Sequence, residues 1–139
     1  MGYDDLTEVS LEKLVQTKGW QAQYRLIIQW GSLIRVKPEM RQDMHLIKGC
    51  ELSAWLVHDL QSDQHSFIFD SDSRVMNGLV ALLLSIINKK QATELAQLNV
   101  KSLLLDAGLQ QYINPSRSNG LRAIILRAYT LAGCVYVLD

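Results

Sequence analysis

The run from Val75 to Ile87 constrains this chain most. Val75, Met76, Leu79, Val80, Leu82, Leu83, Ile86 and Ile87 recur at helical spacing, yet they spread too far around the axis to leave a water-facing side. The spacing predicts a central helix, capped by Ser71 or Asp72 and followed by Lys89 and Lys90, whose charges suit a C-terminal dipole. Its longest apolar stretch, Leu79 to Ile87 interrupted by Ser85, would extend only about 14 Å as a helix, against ~30 Å for the hydrocarbon of a bilayer. It reads as a core helix and not as a membrane span. A buried helix needs partners on several sides, and 139 residues suffice for one domain, expected over residues 1–139.

The partners are legible on both sides. Leu11, Leu14 and Val15, then Trp20, Tyr24, Ile27 and Ile28, give two helices broken at Gly19. From Ser32 to Lys48 the period is lost, and Pro38 with the charges of Arg35, Lys37, Glu39, Arg41 and Asp43 predicts a surface connection. Leu52–His58 and Ser66–Phe69 alternate around the polar stretch Gln61–Gln64 and predict a β-hairpin, with Leu46-Ile47 as a short third strand. That arrangement leaves Gly49-Cys50 in the turn beside the sheet. Downstream, Ala92–Gln97 and Lys101–Ala107 predict two short helices, the second stopped by Gly108, and Ser116 caps a last one carrying Leu121, Ile124, Ile125, Ala128 and Leu131. Trp20 and Trp55 are assigned to core packing.

Composition removes several function classes. Fourteen basic residues balance fourteen acidic ones, so nothing draws the chain toward nucleic acid or an anionic membrane. The acidic start Met1–Leu6 lacks the basic-then-apolar order of a signal peptide, which makes a cytoplasmic protein the expectation. Three histidines and two cysteines lack paired metal-ligand spacing, and no phosphate-binding glycine motif occurs. Neither a metal site nor a nucleotide site is expected. The apolar end Gly133–Leu138 reads as either a docked tail or a homodimer contact.

Cys50 stands apart. Gly49 frees the backbone before it, and the thiol falls on a loop, not on a regular core position. Lys48 and His45 favour a thiolate, whereas Glu51 opposes one. Three readings of the residues remain open: a reactive acceptor, the nucleophile of an independent thiol enzyme, and an inert packed cysteine in a binding module.

Ile47-Lys48-Gly49-Cys50, Trp55, Asp70-Ser71-Asp72, Gly78-Leu79 and Ser116-Arg117-Ser118-Asn119-Gly120-Leu121 follow one another in an order that resembles the SufE/CsdE family of sulfur acceptors. The resemblance runs from about residue 10 to 132. It implies an α+β fold of SufE/NifU-like type, with a three-stranded antiparallel sheet from Leu46 to Asp70 packed against N-terminal and C-terminal helices. It also implies a pyridoxal-phosphate cysteine desulfurase as partner, Cys50 as the residue that takes persulfide sulfur from it, and a downstream iron–sulfur scaffold or further acceptor. No cofactor is then needed on this chain, because the electron sink belongs to the partner. By position, Arg117, Lys48, Arg41 and Gly49 become candidates for partner docking or for holding the cysteine loop.

Overall fold

A computed structural model of the chain describes residues 3–49, 52–106, 108 and 115–134. Among these described residues the regular structure is six α-helices and one hairpin: α1 (Leu11–Gln16), α2 (Trp20–Gly31), β1 (Ala54–Gln61), β2 (Gln64–Ser71), α3 (Arg74–Ile87), α4 (Ala92–Gln97), α5 (Val100–Asp106) and α6 (Pro115–Leu131). Two 3₁₀ turns, Pro38–Met40 and Asp43–His45, lie between α2 and β1.

The buried helix is α3. Every residue from Met76 to Leu84 is buried, including Asn77 and Gly78, because α2, β2 and α6 all pack around it. Its cap is Ser73, not the expected Ser71 or Asp72, with the hydroxyl accepting the Met76 N–H at 3.1 Å. Ser71 is unavailable because β2 runs through it, and its hydroxyl donates to Asn77 Oδ1 at 2.6 Å. This bond satisfies a polar group that would otherwise be stranded in the core.

Two glycines set the crossing of α2 and α3. A Cβ at Gly78 would run into the Ile27 carbonyl oxygen, and one at Gly31 into the Arg74 carbonyl oxygen. The two backbones meet with no side chain between them, an approach that only glycine permits.

The hairpin is antiparallel, with Ala54 opposite Ser71 and Gln61 opposite Gln64. Ser62 and Asp63 turn it, both at positive φ (52° and 64°), as a two-residue turn matched to strand twist requires. Leu56, Phe67 and Phe69 face the main core. The opposite face carries Trp55, Asp70 and Ile68, and the connection 32–47 covers it, burying Met40 and Lys37. The expected surface connection is therefore partly a wall of the domain.

The sheet has two strands, not the three expected. Leu46 makes a single antiparallel bridge to Trp55, with the Ile47 N–H donating to the Ala54 carbonyl at 2.8 Å. The 3₁₀ turn ending at His45 leaves no further extended residue to lengthen the ladder. Trp20 also departs from expectation: at the first position of α2 it is 56% exposed. Ser116 lies inside α6, because Pro115 occupies its first position, where a missing N–H costs nothing.

Candidate functional site

The site is a loop on a closed stem. Ile47 and Ala54 are tied by their 2.8 Å backbone bond, and Leu46 pairs with Trp55, so the segment from 48 to 53 leaves and re-enters the sheet at one place. Lys48 and Gly49 are exposed, as are Leu52 and Ser53 on the returning arm. Cys50 lies outside the described residues, as does Glu51. Gly49 has φ +89°, in the left-handed region that favours glycine, and a Cβ there would stand 3.6 Å from the Ala123 Cβ. Gly49 thus lies beside α6, the helix whose third residue is Arg117. The Arg117 side chain is half-buried in that first turn.

Arg41 is engaged more heavily than any sequence signal implied. Its Nε and Nη2 donate to the two Asp70 carboxylate oxygens at 2.8 and 3.2 Å, and its Nη1 donates to Asp72 Oδ1 at 2.9 Å. The guanidinium carbon sits 4.6 Å from the centre of the Trp55 ring, over its face. Stacking with a two-point fork is a geometry lysine cannot reproduce. Trp55 and Asp70 are direct cross-strand partners, so one guanidinium spans a rung of the hairpin at the loop end.

Asp70 is buried, and burial alone would raise its carboxyl pKa. The hydrogen bonds from Arg41 and the Lys37 N–H, with the charges of both residues, outweigh that and hold it below the usual carboxylate range. The same bonds to Asp70 and Asp72 raise the Arg41 guanidinium further above its ordinary value. Lys37 extends the network inward. At 4% exposure its Nζ reaches Asp4 Oδ2 at 2.6 Å and the Arg35 and Phe69 carbonyls at 2.7 and 2.8 Å. Sequence reasoning missed Lys37, since a lysine before a proline carries no mark of burial. Asp70 and Asp72 were visible as part of the family pattern, though without a role.

Other groups lie elsewhere. Cys134 is half-buried with its thiol 3.5 Å from the Ala92 carbonyl, at the start of α4. His58 and His65 share a 2.7 Å contact between Nε2 and Nδ1 nearer the hairpin turn. Among the described residues no three His, Cys, Asp or Glu side chains converge as metal ligands, and no helix is long and apolar enough to cross a membrane.

A hairpin core wrapped by helices, presenting a short glycine-containing loop on a braced stem, defines a small α+β protein with a loop-borne site. The family described as "SufE: Fe-S metabolism associated domain" matches residues 8–132, and the chain belongs to it. An uncharacterized SufE-like protein of Haemophilus influenzae is 37% identical over 117 residues, covering 82% of this chain and 92% of that protein. An uncharacterized SufE-like protein of Rhizobium etli is 32% identical over 122 residues, covering 84% and 82%. The fold is also that of a hypothetical protein of Thermus thermophilus, whose solution structure superposes with a TM-score of 0.72 over 95% of this chain and 96% of that one, at 12% identity.

Proposed function

We propose that this protein is a sulfur acceptor: Cys50 takes persulfide sulfur from a pyridoxal-phosphate cysteine desulfurase, stimulates that enzyme and passes the sulfur on for iron–sulfur cluster assembly. The observation that carries the reading is membership of an Fe–S metabolism family together with the cysteine-bearing loop between Ile47 and Ala54.

The chemistry is thiol exchange. The Cys50 thiolate attacks the outer sulfur of the desulfurase persulfide, a new S–S bond forms, and the old one breaks with its electron pair leaving on the donor cysteine. Cys50 becomes the persulfide, the donor becomes a thiolate, and no net oxidation occurs. Lys48, exposed beside the cysteine, supplies positive potential toward an incoming anionic persulfide, opposed in part by Glu51. Arg117 at the head of α6 is assigned to docking the desulfurase, and Gly49 to letting the loop turn.

Incubation with a desulfurase and free cysteine, followed by intact-mass analysis and peptide mapping, tests the reading. The mass of one or more sulfur atoms is expected on the Cys50 peptide, lost in Cys50→Ser and kept in Cys134→Ala. Sulfur on the Cys134 peptide, or full desulfurase stimulation by Cys50→Ser, would overturn it. Arg117→Ala should raise the half-saturating concentration of the acceptor with little change in thermal stability.

A further inference from the structure

Arg41 is joined to three residues, Asp70, Asp72 and Trp55. Asp70 is buried on β2, Trp55 is the second residue of β1, and Asp72 begins the approach to α3. In sequence, Cys50 lies between Leu46 and Trp55, the two residues of the isolated bridge at the base of the loop. Among the described residues, that bridge and the Ile47–Ala54 bond are what hold the outgoing arm to the sheet by backbone, a short ladder for a stem. The Arg41 side chain meets both residues of the Trp55–Asp70 rung next to that bridge.

From this geometry we infer that Arg41 is a positioning residue for the Cys50 loop, clamping Trp55 to Asp70 so that the loop leaves the sheet at a fixed place. The inference rests on the sulfur-acceptor reading for its purpose, and on the contacts of Arg41 alone for its mechanics. Asp70 is the anchor, since the Lys37 N–H holds one of its oxygens at 2.8 Å and keeps the carboxylate oriented. Asp72, 68% exposed, is the outer and more replaceable contact. Trp55 carries the constraint to the loop, because its ring lies under the guanidinium while its backbone pairs with Leu46.

Two measurements on one set of variants test this, all in a Cys134→Ala background so that one thiol is read. Arg41→Lys keeps the charge without the fork, Trp55→Leu keeps the ion pairs without the stacking surface, and Arg41→Met with Asp70→Asn removes both charges together so that none is left buried alone. In the free protein, well below each variant's melting temperature, alkylation of Cys50 by iodoacetamide is expected to quicken about fivefold or more, the effect of loosening a loop by roughly 1 kcal/mol. With a desulfurase, sulfur uptake at saturation is expected to fall while the half-saturating concentration stays put. Unchanged alkylation across the set, or a rise in half-saturation alone, would overturn the inference; the second result would assign Arg41 to docking. A lowered melting temperature with neither rate moved would also overturn it, leaving Arg41 a plain stabilising residue. Failure of the unmodified protein to accept sulfur would remove the functional reading, and the alkylation series would still decide whether Arg41 fixes the loop.

Discussion

The two ends of the hairpin are closed by different physics. At the turn end, Ser62 and Asp63 reverse the chain within two residues, and the closure is local in sequence. His65 there also exchanges backbone bonds with Lys89 and Lys90 just past α3, and its ring meets His58 from the diagonal position across the strands. At the loop end the chain departs between β1 and a single bridge, and closure depends on side chains drawn from more than thirty residues of sequence: Lys37, Arg41, Trp55, Asp70 and Asp72. A turn is held by what its own residues prefer, whereas this stem is held by charges that must find one another in the folded chain.

The largest test of that contrast removes the anchor at the loop end. Asp70→Ala leaves Arg41 half-paired and takes from Lys37 the acceptor of its N–H, and should cost about 3 kcal/mol of stability, read by urea unfolding. A loss below about 0.5 kcal/mol would mean that the network is no stronger than an exposed surface pair. The same carboxyl predicts an acid limb. Its pKa is lower in the folded chain than in the unfolded one, so its contribution is complete above about pH 4 and disappears as pH falls through the folded value. Asp70→Asn should flatten that limb.

The turn end should respond in a different window. Burial, and then the neighbouring His65, hold the His58 pKa below its ordinary value, while Asp59 pulls the other way. The folded chain thus binds fewer protons than the unfolded one near neutrality, and stability should fall as pH drops through about 6.5, by at most ~1.4 kcal/mol per pH unit for one proton. His58→Gln should abolish this slope and leave the Asp70 limb intact; a slope that survives would assign it to another histidine. The smallest effect expected is a gain. Ser62→Asn with Asp63→Gly places residues suited to positive φ in the turn and should add about 0.5–1 kcal/mol, visible as a raised unfolding midpoint without a change in the urea m-value.

The same contrast explains what could be read from the sequence. The central helix, the break at Gly19 and the hairpin each announce themselves through residues close together in the chain, and all three are present. The third strand failed because Leu46-Ile47 is too short to be told from one rung of a bridge, and no local pattern counts rungs. Trp20 is exposed despite its large apolar ring, since its placement at the head of α2 depends on what packs there and not on its type. Gly49 drew attention as a backbone-freeing residue beside a cysteine and stands at φ +89°, whereas Cys50 itself lies outside the described residues. The brace at the loop end was not legible, because Arg41 and Asp70 are brought together by tertiary structure alone.

The glycine seam between α2 and α3 behaves as a keyed joint. Most helix pairs interlock through side chains that can change rotamer, which lets one helix creep along the other when a neighbour changes size. Here the contacts are peptide against peptide, at Gly31 with Arg74 and at Gly78 with Ile27, and a slip of one residue would drive a Cβ into a carbonyl oxygen at both points. Arg74 follows Asp72 and Ser73 directly, so the key is cut within a few residues of the carboxylates that Arg41 grips. Alignment of α2 against α3 is thereby indexed to the place where Arg41 grips the end of β2.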